Sequence, residues 1–159
     1  FAAPVTHVQV GPQSQYLAIL SADGAVLLWD LQDVVLILRI EAENAAFADV
    51  AFVDENTLAL ADGGTVRVWD IATDTETQRI VVGADVLALA FNMDGSRLVT
   101  GHANGSGTLW RTDTGEPLRR LEANTQADLV DVFIQAPLMG QDSISAFSAD
   151  GQQIYWILS

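Results

Sequence analysis

Two histidines, 21 carboxylates and seven arginines are the groups with which this sequence can do chemistry, for lysine and cysteine are absent. Without cysteine there is neither a thiolate nucleophile nor a disulfide. His7 and His102 belong to no metal-ligand spacing and to no strand-turn-helix nucleophile motif, so neither is expected to catalyse. The carboxylates offer more. Aligning the repeated segments described below puts His7, Asp49, Ala88 and Asp131 at one equivalent position. Asp49 and Asp131 together suit a hard cation such as Ca²⁺, or an arginine from a partner. The plainer alternative is that each is hydrogen-bonded locally, which offsets the cost of burying a charge. No Asp-x-Asp-x-Asp-Gly loop is present, so no metal or cofactor is expected. Asp74 and Glu76 read as a solvated turn. No constellation of poised groups indicates an enzyme.

The element that positions these residues is a strand repeated four times. Gly64-Thr-Val-Arg-Val-Trp-Asp70 follows a tight turn, alternates apolar and polar residues and ends on Trp and Asp, as a half-buried strand does. Trp29, Trp69, Trp110 and Trp156 stand 40, 41 and 46 residues apart. Each is preceded, six and five residues earlier, by a turn pair: Asp23-Gly24, Gly63-Gly64, Asn104-Gly105 and Asp150-Gly151. Asn-Gly and Asp-Gly are strong hairpin signals because both residues tolerate positive φ. A period of this length, filled by four short strands per unit, is the mark of a propeller blade.

These residues resemble the WD-repeat β-propeller family over nearly the whole chain. Trp29-Asp30 and Trp69-Asp70 carry the family's pair, whereas Trp110-Arg111 and Trp156-Ile157 do not. The family's Gly-His pair between blades is replaced by residues such as Glu43, Val82 and Thr125, so its His, Ser or Thr, Asp and Trp network cannot form in the usual version. The resemblance implies an all-β fold: a β-propeller of antiparallel four-stranded blades, four in this chain, running about 5–40, 47–81, 86–122 and 128–159. It also implies that inner strands surround a channel, towards which Asp49 and Asp131 would bring negative charge.

Blade one has an apolar outer strand, Val34 to Ile40, where the equivalents Glu76 to Ile80 and Glu116 to Leu121 carry the charges and the proline that protect sheet edges. Leu27 also stands where the next blade has Arg67. Val35, Ile37 and Leu27 are therefore candidate partner-binding residues, with burial inside the blade as the alternative. In blade four the segment from Ile134 to Asp150 is three residues longer than its counterpart from Phe91 to Asn104. The excess, which holds Leu138 and Met139, reads as an enlarged surface loop. Too few residues follow Trp156 to supply an outer strand, and Phe1 to Pro4 are too short to replace one. The expectation is thus an open arc of a larger ring, of about seven or eight blades, completed by more of the same polypeptide or by another subunit. A closed four-bladed ring is the rival. A first residue Phe1, rather than Met, suggests a processed product or a piece of a longer chain.

A net charge of −14 repels phosphate backbones and anionic lipid surfaces, arguing against nucleic-acid and membrane partners. No apolar run approaches the roughly 18 residues of a membrane helix. The Asp-rich, Lys-free composition is compatible with an extracellular or high-salt setting. The expected function is a non-enzymatic scaffold for protein partners. Alternatives are a structural subunit joined through open blade edges, or the binding portion of a longer enzyme.

Overall fold

A computed structural model describes residues 3–44, 46–92, 94–121, 143–147 and 154–158. The repeated strands pair as antiparallel four-stranded sheets. The first is β1 (Val5–Val10), β2 (Tyr16–Ser21), β3 (Ala25–Asp30) and β4 (Val35–Glu41). The second is β5 (Phe47–Phe52), β6 (Thr57–Asp62), β7 (Thr65–Asp70) and β8 (Thr75–Val81). The third is β9 (Val86–Phe91), β10 (Arg97–His102), β11 (Gly107–Arg111) and β12 (Glu116–Leu121). Strand order follows chain order within each sheet. A further hairpin pairs β13 (Ser143–Phe147) with β14 (Ile154–Leu158), the strand that holds Trp156. Asp131, Leu138, Met139, Asp150 and Gly151, with the inner strand and enlarged loop expected for blade four, lie outside the described residues.

The middle strands, such as Leu58-Ala-Leu-Ala61, are buried along both faces because a sheet stacks on each side. Leu58 and Leu60 face the first sheet, where they join Ala18, Leu20, Val26 and Leu28 in one core. Ala59 and Ala61 face the third, packing with Val86, Leu89, Leu98 and Trp110. The core of the molecule is therefore the set of seams between blades. The contact is close: a Cβ on Gly11, at the end of β1, would lie 2.9 Å from the ring of Phe52 in the next blade.

Irregularities repeat as well. In each of the three four-stranded sheets the register between the two outermost strands shifts just before the Trp, at Leu28/Trp29, Val68/Trp69 and Leu109/Trp110. Five residues after each of these Trp residues the chain enters the left-handed region, at Val34 (φ 54), Asp74 (φ 53) and Gly115 (φ 68). The hairpin turns differ. Gly24 and Gly105 take positive φ, whereas in blade two it is Gly63, not Gly64, because Asp62 pairs directly with Thr65 across a two-residue turn.

Inner strands β1, β5 and β9 stand side by side, and β13 lies beside β9. Among the described residues the sheets do not close into a ring. No helix of the described residues is long and apolar enough to cross a membrane.

Candidate functional site

Blade two is fastened to blade one by charge. Asp62 is wholly buried, and the Glu43 and Asn44 amides donate to its carboxylate at 2.8 and 3.0 Å. Asn44 Nδ2 donates at 2.9 Å and Arg67 Nη1 at 3.2 Å. Burial pushes the Asp62 carboxyl up, but these donors outweigh it and hold the group below its ordinary value. Arg67 lies against the rings of Phe47 and Trp69, at 5.7 and 5.4 Å, and donates through Nε to Glu76 at 2.7 Å. Arg79 then links Glu76 to Glu43, gripping the latter through both terminal nitrogens at 2.6 and 2.7 Å. Arg79 beside them holds Glu43 and Glu76 low. Glu76 is accordingly no solvated turn residue: it sits on β8 inside an ion-pair network. Asp74, at the turn, accepts a bond from Trp69 Nε1 at 3.1 Å.

Blade three uses neutral groups. Trp110 Nε1 donates to Thr100 Oγ1 at 2.9 Å, and that hydroxyl sits 2.8 Å from His102 Nε2. His102 Nδ1 continues to Ser106 Oγ at 3.1 Å, which donates to Asn104 at 2.7 Å. Burial, with the charge of Arg120 behind it, holds His102 below the usual imidazole value.

At the inner strands His7 and Asp49 do come together, with Nε2 and Oδ1 3.8 Å apart. Ala88, at the equivalent place on β9, is buried and contributes no charge. Each Asp49 oxygen also accepts an amide at 2.8 Å, from Val50 and from Leu89 of the third blade. Burial raises the Asp49 carboxyl, opposed by these amides and by His7. Asp49 therefore clasps three blades, and its oxygens are spent on them. No group of three or more His, Asp or Glu residues among those described is spaced to hold a metal ion.

The remaining candidates lie on blade one. Leu27 is only 6% exposed, paired across the sheet with Ile19 and Arg39. Val35 and Ile37 are open on the edge strand β4, 47% and 38% exposed. A second open surface is the flank turned away from blade two. Phe47, Val50 and Phe52 of β5 are 4%, 1% and 9% exposed, whereas their counterparts on β1, Val5, Val8 and Val10, are 46%, 57% and 54% exposed.

The family model described as WD domain, G-beta repeat matches residues 76–111, from the outer strand of blade two through the third strand of blade three. An uncharacterized WD repeat-containing protein of Synechocystis sp. is 28% identical over 159 residues, covering 96% of this chain and 41% of its own. The chain belongs to the WD-repeat family. This WD-repeat chain is also 34% identical to the cilia- and flagella-associated protein 52 of Chlamydomonas reinhardtii, over 70% of its length and 19% of the relative's. With the target of rapamycin complex subunit wat1 of Schizosaccharomyces pombe it shares 26% identity, over 67% of its length and 35% of the relative's. The WD-repeat chain thus spans less than half the length of these relatives.

Two networks of the WD-repeat chain escaped the sequence. In the sequence Asp62 is merely the residue before the Gly63-Gly64 turn pair, although that two-residue turn draws it into the strand opposite Thr65. The Trp110-Thr100-His102 chain leaves a fainter sign, a hydroxyl at the β10 position where the other blades have Ile19 and Leu60.

Proposed function

We propose that this chain is an arc of a larger WD-repeat propeller that works as a non-enzymatic scaffold, presenting blade surfaces to protein partners. The observation that carries the reading is the flank of blade one. Val5, Val8 and Val10 occupy places whose counterparts Phe47, Val50 and Phe52 in blade two, and Val86 and Leu89 in blade three, are buried against a neighbouring blade, yet here they meet water. Exposed apolar surface of this kind marks a site of association. The family supports the same reading, as does a relative named as a subunit of a complex. Further blades, from the same polypeptide or another subunit, are the occupants that fit this flank.

The scaffold reading is tested by capturing proteins from native extract on the chain, then rebinding each from purified components. Stoichiometric rebinding of at least one is expected; failure of all to rebind overturns the reading. The same open flank favours a second reading, a subunit that assembles with copies of itself. Sedimentation equilibrium separates the two. Self-assembly gives a mass above 17.0 kDa that rises with concentration and collapses in Val8→Arg, whereas a partner scaffold stays monomeric alone.

A further inference from the structure

The unpaired edge of blade one differs from its two counterparts in ways that folding does not require. On β8 the edge carries Glu76 and Arg79 among threonines, and on β12 it carries Glu116, Pro117, Arg119 and Arg120. Charges and proline on an edge strand resist pairing with foreign strands. On β4 and the residue before it, Val34, Val35, Leu36 and Ile37 form an uninterrupted apolar run, 70%, 47%, 46% and 38% exposed.

Val34 adds an independent sign. It holds φ 54, the left-handed region that Asp74 and Gly115 occupy at the same place in the other blades. Asp and Gly tolerate that conformation, but a β-branched residue is strained by it. A side chain both strained and exposed serves neither the core nor the turn, and such outliers concentrate where function holds them.

Charge defines the occupant. Arg39, the one basic residue of β4, is committed to Glu41 and Asp23 at 2.6 and 3.1 Å. Negative charge therefore stands at both ends of the apolar run: Asp33 before it, and after it Glu41 and Asp23, two carboxylates that share the single cation of Arg39 and keep one net negative charge. The chain as a whole carries −14, which repels a second copy. The register shift opposite Trp29 recurs in all three outer strands, so it does not distinguish this edge, though it limits a ladder to a short stretch.

We propose that β4 is a strand-addition site, at which an extended segment of a partner protein, apolar in its middle and carrying Lys or Arg at its ends, pairs as a fifth strand of blade one. Main-chain pairing supplies affinity in this mode, and the side chains along the edge supply selectivity. The proposal rests on the scaffold reading and confines it to one edge.

The probe is a fluorescent synthetic peptide with a Val/Ile centre and a Lys pair at each end, titrated by polarisation. Saturable binding is expected, weakened about tenfold or more by Leu36→Lys and unchanged by Leu118→Lys on the β12 edge. A Glu-ended peptide with the same centre is expected not to bind. Circular dichroism melts of both variants report whether they fold, and since both side chains are exposed, both should. Absence of saturable binding, equal binding to Leu36→Lys, or equal binding of the Glu-ended peptide overturns the proposal. A mass that rises with concentration and is reversed by Leu36→Lys also overturns it, in favour of a second copy. Should a purified partner rebind Leu36→Lys as tightly as the unaltered chain, the edge proposal falls while the scaffold reading stands.

Discussion

Blades one and two share a strand order, a register shift and a Trp-Asp pair, yet they are built on opposite electrostatic plans. Blade two holds a buried Asp62 and a buried Arg67, satisfied by each other, by Glu76 and by the amides of the segment entering from blade one. Blade one puts Leu27 in the place of Arg67 and keeps its one arginine, Arg39, on the surface. The same fold therefore tolerates either an apolar or an ionic filling at that place. What differs is the consequence of disturbing it, because a buried ion pair is costly to break from one side.

The sharpest way to break the comparison is to copy blade one into blade two. Arg67→Leu leaves Asp62 buried without its cation and is expected to cost about 3–5 kcal/mol in urea unfolding. The double variant Arg67→Leu with Asp62→Ser, the residue that blade one has there (Ser21), removes the stranded charge while keeping an acceptor for the Glu43 and Asn44 amides, and should recover part of that loss; if it does not, the two plans are not interchangeable. Truncating a seam comes next. Leu58→Ala, fully buried between the two blades, is expected to lose about 2–5 kcal/mol, whereas Val8→Ala on the open flank should stay within about 0.5 kcal/mol. A large loss in Val8→Ala would mean that something covers the flank in solution. In blade three, Thr100→Val strands Trp110 Nε1 and His102 Nε2 and should cost about 1–3 kcal/mol, measured in the same way.

Acid should tell the blades apart in two stages. His102 is held below its ordinary value, so once pH drops below about 6.5 the unfolded chain binds a proton that the folded one resists, and stability starts to fall. Asp62, Glu43 and Glu76 are also held low, and their contribution is complete above the unfolded carboxyl values near 4 and lost as pH falls through the lower folded ones. Thermal melts across pH should show both stages, the first absent in His102→Gln and the second weakened in Asp62→Asn. The smallest effect has the opposite sign. Val34→Gly removes a left-handed strain of about 1–2 kcal/mol but adds about 0.5–1 kcal/mol of unfolded-chain entropy, so a net stabilisation of about 1 kcal/mol or less is expected in thermal melts, with weaker peptide capture at β4.

The blades were legible because Trp29, Trp69 and Trp110 recur with turn pairs at fixed distances, and a repeat states its own period whatever its contacts. The apolar edge at Val35 and Ile37 was legible for a related reason: three copies of one strand can be compared, and one has Leu36 opposite its Trp where the others have Glu76 and Pro117. The clasps were not. Asp62 and Arg67 look like ordinary surface residues until the two-residue turn at Gly63 and the stacking on Phe47 and Trp69 draw them inward. The pairing of Asp49 with His7 was reached only as an alignment of equivalent positions, without its bond to the Leu89 amide, because hydrogen bonds between blades leave no mark on spacing. Leu27 stands out in the sequence by replacing Arg67, which leaves exposure and burial both open, and the structure buries it.

How many sheets complete a circle is a question of the angle at which one leans on the next. The bare backbone of Gly11 lets the ring of Phe52 come closer than any side chain would allow. A methyl group there would meet that ring at 2.9 Å, so either the ring turns aside or the two sheets part, and the lean of one sheet on the next is set partly by a missing carbon atom.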